Sequence, residues 1–219
     1  MEHKITALKL QKKNRQRVNV YLDGEFAFGL ARIVAAWLQV GQLIDDQKIA
    51  ELKAEDAREV AFQRALRLLN LRPRSALEIR QNLEKHGLGD DVILDVEERL
   101  LESGLVDDAR FARLWIENRS ELRPRGKRAL SYELTQRGID RDTITRLLKD
   151  IDEGDLAYRA AKSHYHKLKN LDWKDFRKKM YGFLSRRGFN YQISAPVVIR
   201  IWEEELDQKY SEKERQALD

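Results

Sequence analysis

LEKHGL at 83–88, LTQRGI at 134–139 and LSRRGF at 184–189 are one phrase written three times. Each carries Leu, two intervening residues, a basic or imidazole residue, Gly, and an apolar residue. The glycines, Gly87, Gly138 and Gly188, stand 51 and 50 positions apart. Four residues before each glycine is Leu83, Leu134 or Leu184, and eight before it is Ile79, Leu130 or Met180. Spacings of i and i+4 place each pair on one face of a helix. Nine and thirteen residues after the glycines come Val96, Leu147 and Val197, then Leu100, Ile151 and Ile201, a second apolar stripe. Upstream of each unit lies a further helical run: EVAFQRALRLLNL, ARFARLWIENRSEL and DLAYRAAKSHYHKL. The period predicts three tandem units of three helices.

The phrase ends the middle helix of each unit. Glycine takes the left-handed position after a helix without a Cβ clash. Lys85, Arg137 and Arg187 then stand at the negative end of the helix dipole. Leu88, Ile139 and Phe189 can fold back onto the last turn. Ser75 and Glu78 read as a capping box for the middle helix of the first unit, and Asp172 as the cap in the third. Pro196 fits the first position of the last helix, predicting a start near 194–196.

The first 30 residues follow another period. Leu8 and Leu10 alternate with polar neighbours, as do Val18, Val20 and Leu22, and Phe26 and Phe28 continue beyond Asp23-Gly24. Alternation around Asp-Gly signals a hairpin. A three-stranded antiparallel meander is predicted at about 4–10, 16–22 and 25–30, then a short helix at 31–38 and a longer one at 46–70. The resulting fold class is mainly α: three three-helix repeats forming an elongated curved array, preceded by a small β-meander with helices. The expected segments are 1–56 for the N-terminal extension, 57–106, 107–154 and 155–207 for the repeats, and 208–219 for a polar tail.

Among the 219 residues 36% are charged, the net charge is +5, and there is no cysteine. Disulfides and thiolate metal sites are excluded. No run approaches the roughly 20 apolar residues of a membrane span, and a cytoplasmic protein is expected. His164 and His166, two apart, point in different directions on a helix and chelate poorly. Asp90-Asp91 and Asp107-Asp108 sit at predicted helix starts, where carboxylates favour the dipole. No catalytic constellation, metal site or cofactor site is expected.

Charge is unevenly spread. Residues 109–138 hold eight Lys/Arg and three Glu, and 162–188 hold nine Lys/Arg and two Asp, whereas 90–108 hold eight acids and one Arg. Either neighbouring repeats pair basic with acidic faces, or a basic stripe awaits a phosphate backbone or an acidic protein groove. RPRS at 72–75 and RPRG at 123–126 place arginines on stiff turns at helix starts, where the dipole disfavours them. Arginine suits bidentate contact with carboxylate or phosphate. The candidate binding residues are Arg72, Arg74, Arg80, Lys85, Arg123, Arg125, Lys127, Arg128, Arg137, Lys178, Lys179, Arg186 and Arg187, with the group Arg123, Arg125, Lys127 and Arg128 favoured for its density of charge.

Together, LRPRSALEIRQNLEKHGL, LLESGLVDDARFARLWIENR, RPRGKRALSYELTQRGI and FLSRRGFNY resemble the RecX family over about 59–206. The third unit departs most, having lost the Arg-Pro-Arg element. The resemblance implies a non-enzymatic regulator that binds the RecA–DNA filament in its groove and inhibits strand exchange, ATP hydrolysis and co-protease function; a monomer is expected, with the RecA filament and single- or double-stranded DNA as partners. The competing readings are a sequence-tolerant DNA-binding protein using its basic repeats without RecA, and a metal-dependent nuclease built on the acid pairs.

Overall fold

A computed structural model of the chain describes the backbone of residues 1–216 and the side chains of residues 1–205. It divides into two compact units, Met1–Asp107 and Asp108–Asp219.

In the first unit, strands β1 (Glu2–Leu10), β2 (Arg17–Leu22), β3 (Glu25–Ala31) and β4 (Leu43–Asp45) form one antiparallel sheet in the order β3-β2-β1-β4. The expected meander is therefore extended by a strand. Its three residues are too few for a period of two to show, and pairing with His3 and its neighbours defines it. Asp23 and Gly24 both take positive φ, 53° and 96°, as a two-residue hairpin turn of matching twist requires. The Asp23 carboxylate accepts from the Lys4 amide at 2.9 Å and pairs with His3 Nδ1 at 2.8 Å, tying the turn to β1. Inward-facing Ile5, Val20 and Leu30 are fully buried, as alternation predicts. The segment expected to be a helix at 31–38 is only a 3-10 turn at Val34–Trp37, whose Val34 and Ala35 close the sheet's core.

Helix α1 (Asp46–Leu71) starts at the Asp45 cap, which accepts from the Lys48 amide. Its first half places Leu52 on the sheet, and its second half supplies Ala61, Phe62 and Ala65 to the first helical trio. The boundary expected at 56/57 thus falls within one continuous helix. Asp56, near that point, accepts from the Ala31 amide and pairs with Arg17 at 2.9 Å, fixing β3 to α1.

The first trio is completed by α2 (Ala76–Lys85) and α3 (Asp90–Glu102). In the second unit, α4 (Asp108–Leu122), α5 (Lys127–Thr135) and α6 (Arg141–Leu148) form one trio, and α7 (Glu153–Tyr165), α8 (Trp173–Arg186) and α9 (Tyr191–Gln216) another. Each trio has its own apolar core. The aligned residues Ile79, Leu83, Leu130, Leu134, Met180 and Leu184 all have 0% exposure, so the repeated spacing marks the same helix face three times. The middle helices end alike. Gly87, Gly138 and Gly188 have φ of 74°, 79° and 89°. The amides of Leu88, Ile139 and Phe189 reach back to the carbonyls of Leu83, Leu134 and Leu184 at 3.4, 3.2 and 3.1 Å. This is the Schellman pattern, which satisfies two carbonyls that the helix end would otherwise leave bare.

Four details depart from expectation. α6 stops at Leu148, so its buried stripe is Ile144 and Leu148; Leu147 and Ile151 are only half-buried. α9 begins at Tyr191 rather than near 194–196, because the Asn190 side chain caps it by accepting from the Ile193 amide at 2.9 Å. Pro196 then lies inside the helix, where the donor it lacks would have faced the carbonyl of exposed Gln192. Ser75 caps α2, yet Glu78 does not reach back to it: its carboxylate goes to Arg72. The backbone of the expected tail at 208–216 continues α9, while residues 217–219 and the side chains from 206 onward lie outside the described residues.

Candidate basic interface

The α4–α5 turn, Arg123-Pro124-Arg125-Gly126, docks on the α8–α9 turn of the neighbouring trio. The Gly126 amide donates to the Arg187 carbonyl at 2.9 Å, and Arg187 Nη1 donates to the Pro124 carbonyl at 3.1 Å. The close approach explains a difference between two otherwise parallel sequences. Where the first trio has Ser75 as the cap of α2, the second has Gly126, which offers no capping side chain. A Cβ on Gly126 would lie 2.5 Å from the Gly188 carbonyl oxygen. The capping function passes to Glu153, whose carboxylate accepts from the Lys127 amide at 2.8 Å.

This docking gathers charge. Arg187 is half-buried over the Phe183 ring, 4.6 Å from its centroid, and its pKa is lowered by burial and then by neighbouring Arg125 and Arg123. Three cations on turns of two trios therefore share one neighbourhood. Arg125 pairs with Glu133 at 2.9 Å, and the same carboxylate takes Arg119 at 2.9 Å and the Trp115 indole N–H at 2.8 Å. Arg137 stacks over Trp115 at 3.6 Å and donates to the Glu133 carbonyl at 2.9 Å. Two carboxylates, Glu133 and the capping Glu153, stand against Arg119, Arg123, Arg125, Arg137 and Arg187, so the area stays basic.

Adjacent in sequence to Arg187, Arg186 lines a cleft of about 400 Å³ between α7 and α8, together with Lys178, Lys179, His164 and Asp175. His164 stacks face to face on Phe183 at 3.8 Å. Its pKa is lowered, first by burial and then by Lys167, Arg187, His166 and Arg186. The imidazole thus stays neutral near pH 7 while cations surround it. An anion in the cleft would meet two lysines and an arginine with exposed side chains.

The thirteen candidates now separate. Arg123, Arg125 and Arg187 come together, as do Lys178, Lys179 and Arg186. Arg123, Arg128 and Lys85 are exposed, whereas Lys127 is half-buried and donates through Nζ to the Lys149 carbonyl at 3.0 Å. Of the four cations favoured at 123–128, Arg125 and Lys127 are thus partly engaged by the fold. Arg72 forms two hydrogen bonds with Glu78, and Arg80 grips Glu97 through two nitrogens, so both have intramolecular carboxylates. Arg74 is half-buried, and its Nε has no hydrogen-bond partner. The role of Phe183 beneath both His164 and Arg187 escaped sequence reasoning, since His164 comes from α7 while Arg187 lies one turn on at the end of α8. Among the described residues no group of three or more His, Asp or Glu could hold a metal, and no helix is long and apolar enough to cross a membrane. Asp90, Asp91 and Asp108 lie in first turns of helices, as their spacing predicts.

The architecture defines a class: tandem three-helix repeats behind a small β module, with basic turns at the junction of the second and third trios. The sequence matches the description "Regulatory protein RecX N-terminal domain" over residues 3–45, and the first, second and third three-helix domains of RecX over 61–100, 107–148 and 152–197. It is 32% identical to the regulatory protein RecX of Bacillus subtilis, spanning 98% of this chain and 81% of that protein. Identity to the RecX of Clostridium perfringens is 31%, spanning 90% of this chain and 96% of the other. A crystal structure of a regulatory protein RecX superposes with a TM-score of 0.73 at 24% identity, over 89% of this chain and 98% of that one. RecX from Lactobacillus salivarius superposes at 0.59 and 17%, over 67% and 97%. The chain belongs to the RecX family of regulatory proteins.

Proposed function

We propose that the protein modulates the RecA–DNA filament, most directly by inhibiting it, through the basic turns joining its second and third trios. Within a regulatory family, the observation that supports this reading is the convergence of Arg123, Arg125 and Arg187 beside the cleft of Lys178, Lys179 and Arg186. Such a surface suits DNA phosphates or acidic side chains of filament subunits. The protein would lie in the filament groove as a cytoplasmic monomer, needing no cofactor and making or breaking no covalent bond. Inhibition of recombinase, ATPase and co-protease activity would then be steric and electrostatic.

The test is RecA's DNA-dependent ATPase. Inhibition is expected at protein amounts well below the number of DNA sites. Changing Arg123, Lys178, Lys179 and Arg186 together to Glu should weaken it by an order of magnitude or more without loss of fold, because these side chains are exposed. Inhibition only when protein coats all the DNA would point instead to a DNA-binding protein acting without RecA. Unchanged inhibition by the fourfold variant would remove this surface from the mechanism.

A further inference from the structure

The first unit holds a second concave basic site that the helical repeats do not explain. A cleft of about 580 Å³ opens between the β1–β2 turn, the end of β3 and helix α1. Its polar lining is Asn14, Gln16, Arg17, Arg32, Glu59, Gln63 and Arg67. Val60, Gln63 and Arg67 are three and four apart, so one face of α1 forms a wall. The opposite wall is rigid: the Arg32 amide donates to the Gln16 carbonyl at 2.8 Å, and the Arg17 amide to the Asn14 carbonyl at 3.0 Å.

The charges in and around the cleft do not cancel. Arg17 is matched by Asp56 at 2.9 Å. Glu59, the acid on the α1 wall, is buried and matched by Arg99 at 2.8 Å, with Gln63 also donating to it. Arg32 and Arg67 are exposed, and neither has an ion pair among the described residues. The turn that forms the rim adds Lys12, Lys13 and Arg15, and residues 3–22 contain no acid at all. Trp37, four residues beyond the wall residue Ile33 and outside the cleft's own lining, ends the 3-10 turn and is 88% exposed.

The geometry points to a phosphodiester-binding site for single-stranded nucleic acid. Two unmatched guanidiniums across a nucleotide-sized cleft grip a phosphate, the amide side chains offer hydrogen bonds to sugar and base, and a free indole offers a stacking surface. An acidic peptide would use the guanidiniums but not the indole.

Binding of the full-length protein to a fluorescent oligothymidine of about 15 nucleotides tests this, with no filament present. Arg32→Ala/Arg67→Ala should weaken binding on the order of tenfold at low salt and reduce the slope of log K against log salt by about 1.4, two phosphate contacts' worth. Arg32→Lys/Arg67→Lys should keep the slope. Trp37→Ala should lower affinity severalfold and leave the slope unchanged. Should the double variant lose its thermal transition, Arg67→Gln alone should lower the slope by about 0.7. An unchanged slope in these charge-removing variants, or polyglutamate displacing the oligonucleotide from the wild type but not from Arg32→Ala/Arg67→Ala, would overturn the site. A duplex binding as tightly as the strand, with Trp37→Ala silent, would overturn the single-strand assignment. RecA inhibition measured on the same variants tests the filament reading separately.

Discussion

The middle helices of the first and third trios end in the same pattern, yet their glycines face different surroundings. A Cβ on Gly87 would meet nothing within 4 Å, whereas one on Gly188 would lie 2.5 Å from the Ala129 Cβ and 2.6 Å from the Ala129 amide. Both positions have positive φ, so both require glycine for conformational reasons. Only Gly188 also requires it for space, because the N-terminus of α5 is pressed against it. A repeated motif thus records a shared local need, and in one copy it has become the floor of a junction between trios.

The largest expected effect separates these two needs. Gly87→Ala should cost about 1 kcal/mol, the left-handed backbone alone. Gly188→Ala should cost about 3 kcal/mol, since overpacking against backbone atoms adds to that strain. Equal losses in urea denaturation would mean that the α5 terminus yields freely.

Next come the acids serving the two Arg-Pro-Arg turns. Glu133 receives Arg119, Arg125 and Trp115 and is mostly shielded, so Glu133→Gln should destabilise by about 2 kcal/mol. Glu78 receives Arg72, which is well exposed, so Glu78→Gln should cost under about 1 kcal/mol. The caps invert an ordinary rule. Serine normally caps a helix better than glycine, so Ser75→Gly should cost a few tenths of a kcal/mol. Gly126→Ser should nevertheless destabilise by about 1 kcal/mol, because its Cβ would strike the Gly188 carbonyl. A stabilising Gly126→Ser would show that the junction is looser than these distances.

The smallest effect compares two histidines. His164 has a folded pKa below its ordinary 6.5, so the unfolded chain takes up the proton first. Its contribution to stability is complete above pH 6.5 and fades as pH falls through the folded value. His3 is raised by its hydrogen bond to Asp23, so its contribution is complete below 6.5 and fades as pH rises through the folded value. Denaturation midpoints across this range should therefore lose acid sensitivity in His164→Gln and gain it in His3→Gln.

Much of the fold was legible in the chain. Leu83, Leu134 and Leu184, with their glycines, mark helix faces and helix ends by local stereochemistry alone, and Asp23-Gly24 marks a hairpin for the same reason. The three-residue strand β4 was not legible, since only its pairing partner makes it a strand. The start of α9 was misread because Pro196 signals a terminus more loudly than the Asn190 cap that sets it. Of the candidate site, the abundance and spacing of cations could be read, but not their engagement. The acid-free run at 3–22 was a signal for the N-terminal cleft, although its other wall lies on α1 some 40 residues onward.

By itself the sequence determined the number of helical units, the faces they bury and the glycines that close them, because these follow from interactions within a few residues. Tertiary structure alone decided which arginines are matched and which are left facing solvent. A guanidinium's partner is selected by three-dimensional approach, as when Arg125 meets Glu133 and Arg187 meets the Pro124 carbonyl, and composition carries no record of that choice.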